Sequence, residues 1–301
     1  MAAQVSSPAV EDALPGAGGR RSGGRRRVVR DGVRGGTAVA GKIHPLAAID
    51  PRAELDSSVE AGAGAVIGPH VSIGADTVVG PHAVIEGITT IGKRNRIFQF
   101  ASIGAQPQDL KYHGEASRLE IGDDNKIREF TSIHCGTEGG GMVTRIGNGV
   151  LLMNYVHIAH DCQIGDHSII ANSTELAGHV VLEEFVFAAG VCGVHQFTRI
   201  GAHAMLAAGS MVAQDVPPYA LVAGDRARLV GVHTVGLKRR GFSTETIAAL
   251  KRAFGTLFYS KLLRDDAIAQ VLARDGSMPE VRRLIDFISG SKRGVVSRAR
   301  G

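Results

Sequence analysis

Residues 67–92 read IGPHVSIGADTVVGPHAVIEGITTIG. An aliphatic residue falls on every sixth position, at Ile67, Ile73, Val79, Ile85 and Ile91. The beat extends back through Ala61, Leu55 and Ile49 to Ile43, and forward to Ile97 and Ile103. It resumes at Ile121, Ile127 and Ile133, and again from Ile146 through Leu152, Ile158, Ile164, Ile170, Leu176, Leu182, Ala188, Val194, Ile200 and Leu206 to Val212. Gly or Ala often follows it, as in Ile67-Gly68, Ile164-Gly165 and Ile200-Gly201. A merely apolar composition would not hold such phase, so the pattern reads as a hexapeptide β-helix. Three hexads make one triangular coil with the recurring aliphatic side chain on the axis, and coils stack at about 4.8 Å per layer. The hexads suffice for roughly nine coils, a prism on the order of 40 Å tall. Because the interior is a column of Ile, Leu and Val, the chemistry must sit on the outside and in the breaks.

Beyond Val212 the sequence Asp215-Val216-Pro217-Pro218 marks a change of architecture, since consecutive prolines suit neither a helix nor a central strand. The period then turns helical: Ile247, Leu250, Phe254, Leu257 and Phe258, next Ile268, Val271 and Leu272, then Val281, Leu284, Ile285 and Ile288. The chain therefore divides into an Arg/Gly-rich extension (1–41), a β-helix (42–225), a small α-helical domain (226–292) and a short tail (293–301). The fold class is mainly β. The extension and the tail are expected to be disordered.

The net charge of +5 is concentrated in the extension, which holds Arg20, Arg21, Arg25, Arg26, Arg27, Arg30 and Arg34 against Glu11, Asp12 and Asp31. A basic tail is not a basic domain, so no nucleic-acid partner is expected. Nor does any apolar run reach the length of a membrane span or a signal peptide, and a cytoplasmic location is the default. Cys135, Cys162 and Cys192 form an odd set without CxxC spacing, which points to neither disulfides nor a zinc framework. Cys162 and Cys192 read as fillers of small-residue positions.

Two breaks interrupt the beat. Residues 105–119, AQPQDLKYHGEASRL, form a polar loop with Asp109, Lys111 and Glu115, and long loops on rigid scaffolds tend to carry binding residues. Residues 135–145 are glycine-rich and read as a flexible flap or a simple insertion. The densest titratable cluster is Asn154-Tyr155-Val156-His157-Ile158-Ala159-His160-Asp161. One coil of eighteen residues carries Asp161 to His179, and a further coil brings His195-Gln196-Phe197 near the same edge. A single corner histidine is usually a hydrogen-bonded surface group. A seam of His157, His160, His179 and His195, with His160 beside Asp161, suits a general base poised near neutral pH.

These residues resemble a known family. Ser102-Ile103-Gly104, Pro107-Gln108-Asp109-Leu110-Lys111-Tyr112, His157-Ile158-Ala159-His160-Asp161-Cys162, Leu176-Ala177-Gly178-His179-Val180, His195-Gln196-Phe197, Gln214-Asp215-Val216-Pro217-Pro218-Tyr219 and Gly236-Leu237-Lys238-Arg239-Arg240-Gly241-Phe242 are similar to segments of the acyl-carrier-protein–UDP-N-acetylglucosamine O-acyltransferases. The likeness spans about residues 42 to 290. It implies a homotrimer of left-handed β-helices with active sites between prisms. It also implies transfer of a 3-hydroxyacyl chain from acyl carrier protein to the glucosamine 3-hydroxyl, the first step of lipid A synthesis. On this resemblance His160 is the general base and Gly178 the oxyanion donor; the residues themselves place Asp161 next to His160, where it can orient the imidazole. Asp109, Lys111, His157, His179 and Gln196 contact the UDP-sugar, Arg239 and Arg240 lie near phosphate or carrier protein, and Ala208 sits at the end of the acyl groove. No metal or cofactor is implied beyond the carrier thioester.

Three positions depart from the pattern. His233 and Val235 stand where Asn and Glu are common, which leaves open a 3-amino sugar as the acceptor. Ala208 replaces a glycine, and Cys135 a basic residue after His134. Two other readings of the fold are an N-acyltransferase, which would carry an additional N-terminal domain, and a zinc-dependent hydratase using histidines of neighbouring prisms.

Overall fold

A computed structural model describes residues 42–298. The hexad beat appears as strands of mostly two residues, of which the second is the beat residue and points inward. Val66–Ile67, His157–Ile158 and Glu175–Leu176 are examples. Ile67, Ile85, Ile103, Ile133, Ile158 and Leu176 are all buried in one continuous core. Because every third strand returns to the same face, the strands stack into three sheets of nine, eight and ten strands, parallel except for the final antiparallel pair of the third. The first sheet carries His157, the second Arg145 and the third Ile169 on their outer sides.

The two breaks are insertions between coils. Ser102 pairs with Ser132 and Ser132 with His157, steps of 30 and 25 residues where regular coils take 18. The core register survives both, since Ile103, Ile133 and Ile158 still lie in line. Extra chain at a corner leaves the axial column intact.

Most corners place one residue in left-handed backbone, and at the seam following the His157 face these are Asp161, His179 and Phe197, with φ of 60°, 62° and 63°. Such conformations cost a non-glycine residue roughly 1 kcal/mol. They are offset by bonds between coils: the His179 N–H donates to His160 O at 3.0 Å and the Phe197 N–H to Gly178 O at 3.1 Å. Corner residues of successive coils therefore stack, which is what aligns a site along the seam.

The β-structure runs past the expected boundary at 225. Ala220–Ala223 and Arg228–Val232 form an antiparallel hairpin closing the third sheet, and helices begin only at α1, Thr234–Arg239, an element the apolar period did not reveal. The three expected helices are α2, Thr244–Phe254, α3, Arg264–Asp275, and α4, Pro279–Ser289. They pack their apolar faces on one another and join the main core through Leu250, Val271 and Leu284. Arg283 of α4 spans Glu183 and Glu184 on the prism, and Ser291 donates to Asp215 at 2.8 Å. The tail, expected to trail free from 293, is instead docked through residue 298: Val295 and Arg298 bridge Asp215 and Leu229, and Val296 is buried. Its apolar Val295-Val296 pair finds cover there. The 1–41 extension and residues 299–301 lie outside the described residues.

Candidate active site

The seam histidines converge as the eighteen-residue spacing requires. His160 and His179 meet edge to face with ring centroids 5.0 Å apart, and His179 stacks on Phe197 at 4.2 Å. Phe197, rather than His195, continues the column. His195 is exposed, with Nδ1 facing its neighbour's carbonyl, Gln196 O, at 3.1 Å and Arg293 at 3.2 Å.

His160 Nδ1 lies 2.8 Å from Asp161 Oδ2. The Asp161 side chain is fully buried, and its oxygens also accept from the Thr137 N–H at 2.9 Å and the Thr137 hydroxyl at 2.6 Å. An acceptor so placed holds the proton on Nδ1 and leaves Nε2 as the basic nitrogen. That nitrogen faces the first loop, 4.0 Å from Asp109 Oδ2. Thr137 comes from the glycine-rich break. This segment is therefore no free flap: it is tied to Asp161, and Gly140 packs so closely that a Cβ there would overlap the carboxylate. Glu115 of the first loop accepts from the His113 N–H at 2.8 Å and from the Glu138 N–H at 3.3 Å, joining the two insertions. Neither Thr137 nor Glu115 as a tether stood out in the sequence, because both pairings depend on how the insertions close.

Gly178 is buried against the imidazole. A Cβ at this position would lie 2.5 Å from His160 Cε1 and 2.6 Å from Nε2. No acceptor among the described residues takes its N–H. An uncommitted backbone donor beside a basic nitrogen is the arrangement an acyl-transfer intermediate requires.

His157 presents its ring on the outer face, where Nδ1 meets the Ser132 hydroxyl at 2.8 Å. Behind it His134 is buried, its ring 5.0 Å from that of His157 and its Nδ1 without a partner. Burial, helped by His157 and His160, pushes His134 down to about 4, and burial lowers His157 and His179 as well. These rings stay neutral at physiological pH. Cys135 turns inward: its thiol donates to Gly104 O at 3.2 Å and burial raises it to about 11, so it fills space rather than facing substrate. Cys162 and Cys192 are buried likewise.

The other expected site residues are spread further. Lys111, Gln196 and Arg239 are exposed. Arg240 lies over the Phe185 ring and within 3.4 Å of His203, on a different seam from His160. His233 is buried and its Nδ1 faces His203 O at 3.2 Å, while Val235 is exposed. Ala208 lies exposed beside Gly209 on the third corner. A groove of about 540 Å³ runs along the His157 face from Gln108 and His157 past Ala177 and Gly193 to Met211, Asp225 and Arg226; His160 and Asp161 are not among its lining residues. Ala208 does not line it.

Among the described residues one group could hold a metal, His160, Asp161 and His179, with donor atoms within 4.8 Å of one another. The Asp161 oxygens are already engaged by Thr137 and His160, which favours an orienting role.

A prism of hexapeptide coils bearing a buried-aspartate-oriented histidine, an adjacent glycine donor and an elongated groove is the framework of the hexapeptide-repeat acyltransferases. A model described as bacterial transferase hexapeptide (six repeats) matches residues 43–87 and 144–178, and one described as UDP N-acetylglucosamine O-acyltransferase, domain 2, matches residues 215–296. The acyl-[acyl-carrier-protein]–UDP-N-acetylglucosamine O-acyltransferase of Herminiimonas arsenicoxydans is 56% identical over 258 residues, 84% of this chain and 98% of that protein. That of Myxococcus xanthus is 54% identical over 254 residues, 84% and 98% of the two chains. The solved structure of LpxA from Acinetobacter baumannii superposes with a TM-score of 0.82 at 44% identity, covering 85% of this chain and 99% of that one. The chain belongs to the acyl-[acyl-carrier-protein]–UDP-N-acetylglucosamine O-acyltransferase family, and its β-helix is left-handed. Family membership displaces the N-acyltransferase and zinc-hydratase readings. No helix among the described residues is long and apolar enough to cross a membrane.

Proposed function

We propose that the protein transfers a 3-hydroxyacyl chain from the thioester of acyl carrier protein to the 3-hydroxyl of UDP-N-acetylglucosamine, opening lipid A synthesis. The observation that carries this reading is the tether of His160 Nδ1 to Asp161, which leaves Nε2 free beside the Gly178 N–H. A sugar hydroxyl is a poor nucleophile. His160 Nε2 takes its proton as the oxygen attacks the thioester carbonyl, a contribution of roughly 10²–10⁴-fold. The Gly178 N–H meets the tetrahedral oxyanion, a donor worth about 10²–10³-fold. When the carbonyl re-forms, the C–S bond breaks and the imidazolium returns the proton to the departing thiol of the carrier. The step needs no metal or cofactor.

Asp109, Lys111, His157, His179 and Gln196 bind the sugar nucleotide in this reading, and Arg239 and Arg240 engage phosphate or the acidic carrier by charge-assisted hydrogen bonds. Since Arg240 stands on another seam from His160, a neighbouring prism must supply it, and the active form is a homotrimer. Leu110, fully exposed at the tip of the Asp109 loop, and the exposed ladder of Phe100, Phe130 and Tyr155 offer apolar surface for such neighbours. Both substrates are cytoplasmic, and the enzyme works there. Mass spectrometry of the product formed from UDP-N-acetylglucosamine and mixed 3-hydroxyacyl carrier proteins tests the reading: one acylated UDP-sugar supports it, and no product, with turnover of the 3-amino sugar instead, contradicts the choice of acceptor.

A further inference from the structure

The outer positions of successive coils on the His157 face run Ser102, Ser132, His157 and Glu175, held in line by strand pairing. Ser132 and His134 share one strand, Ser132–His134, and both touch the His157 ring on the next coil. Ser132 Oγ lies 2.8 Å from His157 Nδ1, and the His134 ring packs edge to face against that of His157, at 5.0 Å and 85°. The imidazole is thus held from two sides. A neutral imidazole carries one N–H and one bare nitrogen, and the partner of either nitrogen decides which is which. At His160 the partner is the Asp161 carboxylate, which accepts, so the proton sits on Nδ1. At His157 the partner is a hydroxyl, which among the described residues has no other acceptor, so its hydrogen goes to Nδ1. The ring proton of His157 then sits on Nε2. Burial keeps this ring neutral, and it lines the groove with Gln108 and Glu175, whereas Ser132 does not reach the groove.

We propose that Ser132 is a positioning residue of the acceptor site, whose hydroxyl locks His157 as a neutral Nε2–H donor to an oxygen of the glucosamine unit. The inference rests on the acyltransferase reading above. Two neighbouring histidines then hold opposite tautomers: His160 has a bare Nε2 that takes a proton, and His157 a protonated Nε2 that gives a hydrogen bond. The difference follows from their partners, a carboxylate for one and a hydroxyl for the other. It also keeps the roles apart, since a second bare nitrogen near His160 would compete for the proton of the reacting hydroxyl. A neutral donor suits a hydroxyl or acetamido oxygen, whereas a diphosphate is best met by a charged one. Ser132 therefore acts on how the sugar is held and not on the proton transfer itself.

Neutron diffraction from deuterium-exchanged crystals of the full chain locates the protons directly. Deuterium is expected on Nε2 of His157 and on Nδ1 of His160, with the Ser132 deuteron directed at His157 Nδ1. Deuterium on Nδ1 of His157, alone or together with Nε2, overturns the proposal. Kinetics then tests the role with Ser132→Thr and Ser132→Val, two β-branched side chains of similar size of which only threonine keeps a hydroxyl. Ser132→Val is expected to raise KM for UDP-N-acetylglucosamine about 5–10-fold with kcat little changed, the scale of one lost orienting hydrogen bond. Ser132→Thr is expected to stay close to the unaltered enzyme. Thermal melting checks that both variants are folded. Equal KM values for the folded Thr and Val variants, or a loss shared equally by both substrates, overturns the positioning role while the acyltransferase reading stands. If the unaltered enzyme acylates no UDP-sugar, the parent reading fails and the glucosamine unit falls with it as the recipient; the deuterium positions, read without turnover, still decide the tautomer.

Discussion

The Cβ that Gly178 lacks would sit 2.5 Å from Cε1 of His160, so the glycine and the base occupy a single packed unit. Gly178→Ala is therefore expected to push the imidazole off its position although the backbone N–H remains. A loss of about 10²-fold in kcat follows, the scale of a misplaced catalytic group. Steady-state kinetics with a parallel thermal melt checks it. A melt close to the parent's is expected, because the residue lies on the seam and not on the axis.

Asp161 fixes the tautomer of His160 through the 2.8 Å contact to Nδ1. Asp161→Asn can present an N–H to that nitrogen and so favour the tautomer protonated on Nε2, which is no base. A fall of about 10²–10⁴-fold in kcat is expected, with KM little changed. Thr137→Val removes only the 2.6 Å hydroxyl bond to Asp161 and keeps the backbone one, so a smaller loss of about 10-fold is expected. The order of the two effects on kcat is the check.

His134 is buried and held down to about 4. In the unfolded chain it titrates near 6.5, so between these values the unfolded state binds more protons. The stability it leaves intact is complete above about pH 6.5 and is lost progressively as pH falls towards 4. At pH 5 that loss is about 2 kcal/mol. His134→Gln, which carries no titrating ring, is expected to lower the melting temperature less than the parent chain does on going from pH 7.5 to pH 5. Parallel thermal melts at the two pH values measure it, and equal decreases count against His134 as the source.

The core was legible in the sequence because a hexad repeat has one geometric solution: Ile67, Ile85, Ile103, Ile133 and Ile158 fell on the axis as their spacing required. The eighteen-residue coil likewise gave the meeting of His160 with His179. What the period could not give was anything set by chain closure outside it. Thr137 reaches Asp161 only because a glycine-rich insertion folds back over the seam, and Met211 meets Gly193 only through the lean of one flexible side chain. The short α1 carries too few apolar positions to show a period, and the docked 293–298 segment is extended chain recognisable only by what covers it.

The most direct test of the account is turnover by His160→Ala with UDP-N-acetylglucosamine and a 3-hydroxyacyl carrier protein, with its oligomeric state and melting temperature matched to the parent enzyme. If Nε2 of His160 takes the sugar proton, the variant loses at least about 10²–10⁴-fold in kcat, while KM for the sugar nucleotide changes little. A folded variant that turns over within a few-fold of the parent would contradict the assignment of His160 as the base.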